Sequence, residues 1–255
     1  MFFARTSLPQ KNLSLMIVPT SGLILSEKLP PFAPMVNQNE MIETIKQSVS
    51  DCLFVDLRQQ LLDKKDEYIY FKTDHHWTTR GAFAAYLNWC DTVGIPSSEA
   101  NYSIEEVTDS FRGSLYSKVL YNGVPYDSIS IFKYQSPHHF LVEYEGGKSH
   151  SDSFYQRERL QEKDKYAVFF GGNHGELKIT SDNKNNKRLL VIKDSFANAF
   201  VPFAAEQFES AHMLDLRYFH GSVYDYITNN DITDILVLYS TLNFASDHNL
   251  DKLRY

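Results

Sequence analysis

Hydrophobic positions along the chain fall into short blocks separated by polar and turn-forming residues, and the blocks differ in period. "LSLMIVPTSG" (13–22) is an apolar run halted by Pro, Thr, Ser and Gly, the pattern of a buried strand. Met41, Ile42, Ile45 and Val49 then recur at helical spacing in "NQNEMIETIKQSV". "CLFVDL" reads as a strand, "RQQLLDKKDE" as a helix and "YIYFKT" as a strand. "TTRGAFAAYLNWCDTVG" predicts a helix opened by Thr78 or Thr79 and closed near Gly94. The resulting βαβαβα order favours a mostly parallel sheet covered by helices.

Over 96–186 the texture changes to short alternations broken by turn residues, such as "SISIFKY" and "HHFLVEYEGG". This predicts a β-rich insertion within a single α/β domain spanning 1–255, with "TSDNKNNKR" marking the return. "KRLLVIKDSFANAFVPFAAEQF" then predicts a strand, a polar elbow and a helix. "AHMLDLRYF", "SVYDYITNN" and "ITDILVLYS" supply a further strand, helix and strand.

Composition narrows the function classes. A hydrophobic content of 43% over 255 residues is enough for a sizeable core. The formal net charge of -7 argues against nucleic acid as a partner, because phosphate binding needs a basic surface. No apolar run approaches the roughly 20 residues needed to span a bilayer. "MFFARTSLPQ" is too short and interrupted for a secretory leader, so the chain is expected either to be cytoplasmic or to follow a leader or anchor upstream. Cys52 and Cys90 form neither a disulfide framework nor a zinc set and are expected as buried small hydrophobes.

The candidate chemistry lies in "YFKTDHHWTTRGAFAAY" (70–86). In an extended segment, positions i and i+2 share a side, so Asp74 and His76 are expected together and His75 on the other face. A carboxylate beside an imidazole fixes its tautomer and stabilises the imidazolium formed when it takes a proton. Trp77 is expected in the core. The matching nucleophile is Ser195 in "LLVIKDSFANAF", at a strand end where a helix begins and backbone N–H groups point outward. Strand carboxyl ends are also where open α/β sheets form ligand crevices. Asp194 and Ser195 are equally ordinary helix-capping residues, and the Asp74–His76 pair is equally a structural hydrogen bond. The pairs His75–His76 and His138–His139 lack metal-ligand spacing, so no metal and no cofactor are expected.

"TDHHWTTRGAFAAY" resembles the signature of the bacterial DHHW protein family and is similar to the Asp-x-His-Trp element of the alginate O-acetylation proteins. "IVPTSGLILSEKLP", "FRGSLYSK", "FFGGNHGELKI", "VIKDSFANAFVPF" and "LDLRYF" resemble further family blocks in family order. The resemblance implies an SGNH-hydrolase-like α/β sandwich with an Asp-x-His pair preceding the serine. It implies a serine-dependent acetyltransferase or esterase acting on exported or cell-surface polysaccharide. Asp74, His76 and Ser195 would then be catalytic. Arg217, Asn173 and Phe196 would be the substrate-binding or oxyanion candidates. A glycan and a membrane-bound acyl-transfer partner are the implied partners, in the cell envelope or outside it. The sequence departs from the usual serine block, because Lys193 stands where glycine is expected. That departure, with the aromatic stretch "FRGSLYSKVLYNGVPY", leaves open a non-catalytic glycan-binding protein of the same fold.

Overall fold

The computed structural model describes residues 12–49, 51–119, 121, 123–135 and 139–254. The N-terminal stretch read for a leader, His138 of the second histidine pair, and Leu120 and Asn122 of the aromatic stretch lie outside these residues.

Among the described residues the strands are β1 (Asn12–Val18), β2 (Leu53–Val55), β3 (Tyr102–Phe111), β4 (Asp127–Tyr134), β5 (Phe140–Tyr144), β6 (Ser149–Ser151), β7 (Glu176–Ser181), β8 (Arg188–Lys193), β9 (Ser210–Leu214) and β10 (Asp234–Ser240). The helices are α1 (Ser21–Ile24), α2 (Gln38–Ser48), α3 (Arg58–Asp63), α4 (Thr79–Val93), α5 (Ser114–Val119), α6 (Ala197–Ala205), α7 (Val223–Asn229) and α8 (Thr241–Ser246). One eight-stranded sheet has the order β2-β1-β10-β8-β9-β7-β5-β6. Its first five strands are mutually parallel, and β7, β5 and β6 continue it antiparallel. Strands β5, β6 and β7 come from the β-rich stretch and lengthen the main sheet, whereas β3 and β4 pair separately as a hairpin.

Strand periodicity sorts the core into two layers around the sheet. Met16, Val18, Leu189, Val191, Leu236 and Leu238 face one side, where they meet α4 and α6. Leu15, Ile17, Leu190, Ile192, Ile235 and Val237 face the other, against α2, α7 and the C-terminal turn. Strand β8 is apolar on both faces because it lies inside the parallel block, and Leu189, Leu190, Val191 and Ile192 are all fully buried. Burying one such side chain contributes ~1.5–3 kcal/mol. Helix α4 begins where the Thr78 side chain caps the Gly81 N–H, and it ends at Gly94 in the left-handed conformation, φ +75°. Cys90 is buried within α4, but Cys52 is only half-buried beside β2, and both are free thiols.

One expected strand is absent. "YIYFKT" pairs with no strand of the sheet and makes an isolated antiparallel bridge from Tyr70 to Trp77. Ile69, Tyr70 and Phe71 are buried, which explains the strand-like apolar pattern. Their backbone groups are satisfied locally, through Thr78 N–H to Ile69 O at 2.9 Å and Phe71 N–H to His76 O at 3.3 Å. The segment closes on itself as a loop instead of joining the sheet.

Candidate active site

That loop carries Asp74, His75 and His76, and its shape is set by a residue far along the chain. The buried Asp127 carboxylate, at the start of β4, accepts hydrogen bonds from Lys72 N–H at 3.0 Å, Thr73 N–H at 2.7 Å, the Thr73 hydroxyl at 2.5 Å and the Tyr68 hydroxyl at 2.5 Å. Four donors on one carboxylate hold the loop in place. Asp74 therefore follows a loop and not a strand end, contrary to the expectation from sequence.

Asp74 and His76 do meet, but through a turn and not through an extended i, i+2 pair. Asp74 Oδ1 accepts the His76 backbone N–H at 3.0 Å and lies 2.6 Å from His76 Nδ1. His76 Nε2 lies 2.7 Å from Ser195 Oγ, which sits between β8 and α6. Asp74, His76 and Ser195 are all buried, with only 8% of Ser195 exposed. An ionised carboxylate only accepts, so Nδ1 carries the imidazole proton and the Nε2 lone pair faces the serine hydroxyl. Burial opposes ionisation of Asp74, but the hydrogen bond and charge of His76 and the Ser114 N–H together hold its carboxyl well below the usual range.

The second Asp74 oxygen is held by the turn after β3, where Ser114 N–H donates to Oδ2 at 2.7 Å. Gly113 N–H donates to the Thr73 hydroxyl at 3.1 Å. A Cβ on Gly113 would overlap the Cβ and Oδ2 of Asp74. We expect Gly113→Ala to displace the Asp74 carboxylate, costing about 1–3 kcal/mol of stability as overpacking does. Activity should fall by a larger factor than the stability loss explains, which thermal melts and kinetics on the same sample would measure.

His76 is held between two rings. Tyr166 stacks on it with centroids 4.0 Å apart and planes 6° apart, and the Tyr166 hydroxyl donates to the Ser195 carbonyl at 3.1 Å. His75 lies on the same side of the molecule, not the opposite one, because the loop bends at these residues. Its ring centroid is 3.8 Å from that of His76, and its Nδ1 is 2.6 Å from Ser114 Oγ. His75 is exposed at its edge, and partial desolvation with the neighbouring His76 pushes its imidazole down to about 4. Trp77 is fully buried and donates from Nε1 to the Phe196 carbonyl at 3.0 Å, which ties the loop to the serine elbow.

Phe196 is not available as an oxyanion or substrate contact. Its N–H is spent on Asp194 Oδ1 at 3.0 Å, and its 1%-exposed ring packs against His76 and Trp77. Asp194 itself is structural, since its other oxygen accepts Ser240 N–H at 2.9 Å and Asn243 Nδ2 at 2.8 Å. Ser195 N–H has no protein partner among the described residues.

The three residues open onto a cavity of about 480 Å³. Its lining also includes Arg112, Ser114, Lys163, Asn173, Asn198 and Arg217. The Arg217 guanidinium is held by the buried Asp215, with Nε to Oδ1 at 2.8 Å and a terminal nitrogen to Oδ2 at 2.6 Å. That pairing raises the Arg217 pKa further above its ordinary value. Asn173 Oδ1 accepts from Lys193 Nζ at 3.0 Å and from Asn198 Nδ2 at 3.1 Å. Asp74, His75 and His76 offer ligand atoms within 4.8 Å of one another, a spacing a metal ion could use. Both His76 nitrogens are already engaged, however, and a 2.6 Å contact between Nδ1 and Asp74 leaves room for a proton and not an ion.

The sequence matches an established family. The DHHW protein family matches residues 35–214, which include the Asp-His-His-Trp loop and the serine elbow. A DHHW family protein from Eubacterium siraeum is similar over 98% of this chain and 84% of its own, at 27% identity and a TM-score of 0.84. Bacillus cereus PatB1, solved with a sulfonyl adduct, is similar over 91% of this chain and 83% of its own, at 25% identity and a TM-score of 0.75. The O-acetyltransferase domain of Pseudomonas putida AlgJ shares the fold, over 95% of this chain and 82% of its own, at 13% identity and a TM-score of 0.56. No curated protein matches the sequence. The fold is thus the SGNH-hydrolase-like α/β sandwich implied by the motif, and the chain belongs to the DHHW protein family.

Proposed function

We propose that the protein is a serine-dependent acyltransferase or esterase, with acetyl as the acyl group and polysaccharide as the acceptor or substrate. The observation that carries this reading is the hydrogen-bonded series from Asp74 through His76 to Ser195, at 2.6 and 2.7 Å. Ser195 Oγ attacks the acetyl carbonyl as its proton passes to His76 Nε2, and Asp74 stabilises the imidazolium that forms. Negative charge on the tetrahedral oxygen is met by Ser195 N–H and by the Asn173 side-chain amide. His76 returns the proton to the leaving oxygen, which leaves an acetyl-serine. His76 then takes the proton of a sugar hydroxyl or a water, whose oxygen attacks the acetyl carbon and releases the serine.

The comparisons support this chemistry without naming the substrate. PatB1 has been solved with a sulfonyl adduct, and the shared fold carries an O-acetyltransferase domain in AlgJ. A fold alone does not carry a function, so the assignment rests on the site. Polysaccharide, a location in the cell envelope and a membrane-bound acyl-transfer partner follow from the family resemblance. No described helix is long and apolar enough to cross a membrane. The alternative of a non-catalytic glycan-binding protein draws on Lys193 in place of glycine, but the assembled relay around Ser195 favours catalysis.

The test is incubation with p-nitrophenyl acetate, with and without bacterial cell-wall and exopolysaccharide fragments. Nitrophenol release with acetylated fragments in the mass spectrum identifies a transferase; release with free acetate alone identifies an esterase. A folded protein that gives neither with any ester would contradict the proposal.

A further inference from the structure

Lys193 is the one residue at which the serine block departs from its usual glycine, and its surroundings suggest why. It ends β8, and only 2% of it is exposed. Nζ donates to Asn198 Oδ1 at 2.7 Å and to Asn173 Oδ1 at 3.0 Å, and stands 3.8 Å from Asp215 Oδ2. Burying an ammonium is costly, and an apolar side chain would complete the strand more cheaply. A residue retained against that cost invites an explanation beyond packing.

The chemistry of the amides supplies one. An ammonium only donates, so it binds the oxygen of a carboxamide and never the nitrogen. Lys193 therefore fixes which end of Asn198 faces inward, and that in turn aims Asn198 Nδ2 at Asn173 Oδ1, 3.1 Å away. Two donors converge on Asn173 Oδ1, which leaves its NH₂ end on the other side. Asn173 is exposed, lines the cavity with Ser195, and its Nδ2 has no protein partner among the described residues.

We propose that Lys193 is a positioning residue that locks the Asn173 carboxamide with its N–H groups toward the oxyanion formed at Ser195. The inference rests on the serine-hydrolase reading of the site and adds a specific cause for the lysine. The same ammonium, through Asp215, joins Asn173 to Arg217. Burial draws the lysine down to about 8 against the pull of Asp215 and Asp194, so it is mainly charged at pH 7.

The experiment measures the rate of Ser195 labelling by a fluorophosphonate and the kcat and KM for p-nitrophenyl acetate. Asn173→Ala and Asn173→Asp should each lower the labelling rate and kcat by about 100- to 1000-fold, the usual cost of one oxyanion donor, with KM nearly unchanged. The aspartate is the informative control, because it keeps the contact with Lys193 but offers no N–H. Lys193→Met should cause a similar loss in kcat, and the Lys193→Met/Asn173→Ala double variant should be no slower than Asn173→Ala alone. Should Lys193→Met fail to fold, Lys193→Gln serves, since a carboxamide both donates and accepts and no longer dictates the Asn173 orientation. Additive losses in the double variant, or Asn173 variants within about threefold of wild type, would overturn the inference while leaving the serine chemistry standing. Wild type that is never labelled at Ser195 would overturn both.

Discussion

Ser195→Ala should reduce kcat on any acyl substrate by about 10⁴- to 10⁶-fold while leaving the fold intact. The size of the effect follows from the role proposed for the hydroxyl, which is to form the covalent intermediate. The smaller side chain fits the space already present, because Ser195 Oγ makes its hydrogen bond only to His76 Nε2. His76→Ala should lose about as much, and the double variant little more than either alone, because the two groups act as one unit. Stopped assays on purified variants, with thermal melts beside them, separate this from misfolding. A Ser195→Ala protein within tenfold of wild type would mean that the chemistry lies elsewhere.

Asp74→Asn should cost about 10⁴-fold in kcat, the order seen when an aspartate of this type becomes an amide. Here no orientation of the amide satisfies both backbone donors. Asp74 Oδ1 accepts the His76 backbone N–H and Oδ2 accepts the Ser114 N–H. An asparagine must turn its NH₂ toward one of these donors, leaving a buried N–H unpaired at about 1–3 kcal/mol. With NH₂ toward His76 it also donates to Nδ1, which places the imidazole proton on Nε2, the wrong nitrogen to accept from serine.

The variant also changes the pH dependence of stability. The Asp74 carboxyl is depressed in the folded state from 3.8, so its stabilising contribution is present above that pH and fades as pH falls below it. Asp74→Asn should therefore be less stable than wild type at neutral pH and converge on it in strong acid. Equal acid-unfolding curves at every pH would show that the carboxylate is not held as described.

Much of this site is readable from local residues, and the unreadable part is long-range. The strand-elbow-helix of "LLVIKDSFANAF" is legible because a continuous apolar run abuts polar residues and a helical period. The Asp-x-His pair is legible as chemistry, although the reason for its geometry is different. Burial of Ile69, Tyr70 and Phe71 imitates a strand, while Asp127, 54 residues beyond Thr73, shapes the loop in fact. That separation also hides Gly113, Ser114 and Tyr166, each of which holds the pair from another element. "FRGS" offers a faint signal, a glycine beside a serine in an aromatic stretch, but only the structure brings it against Asp74. The misplacement of His75 has the same origin, because alternation of side-chain direction holds in strands and His75 does not lie in one.

Activation of Ser195 as a nucleophile is read out by intact mass after exposure to a fluorophosphonate. In that reaction the serine oxygen bonds to phosphorus, fluoride leaves, and His76 takes the proton. One adduct is expected on the wild-type protein, none on Ser195→Ala, and labelling slowed by several orders of magnitude on His76→Ala. A folded wild-type protein that stays unmodified, or an adduct that persists in Ser195→Ala, would contradict that activation.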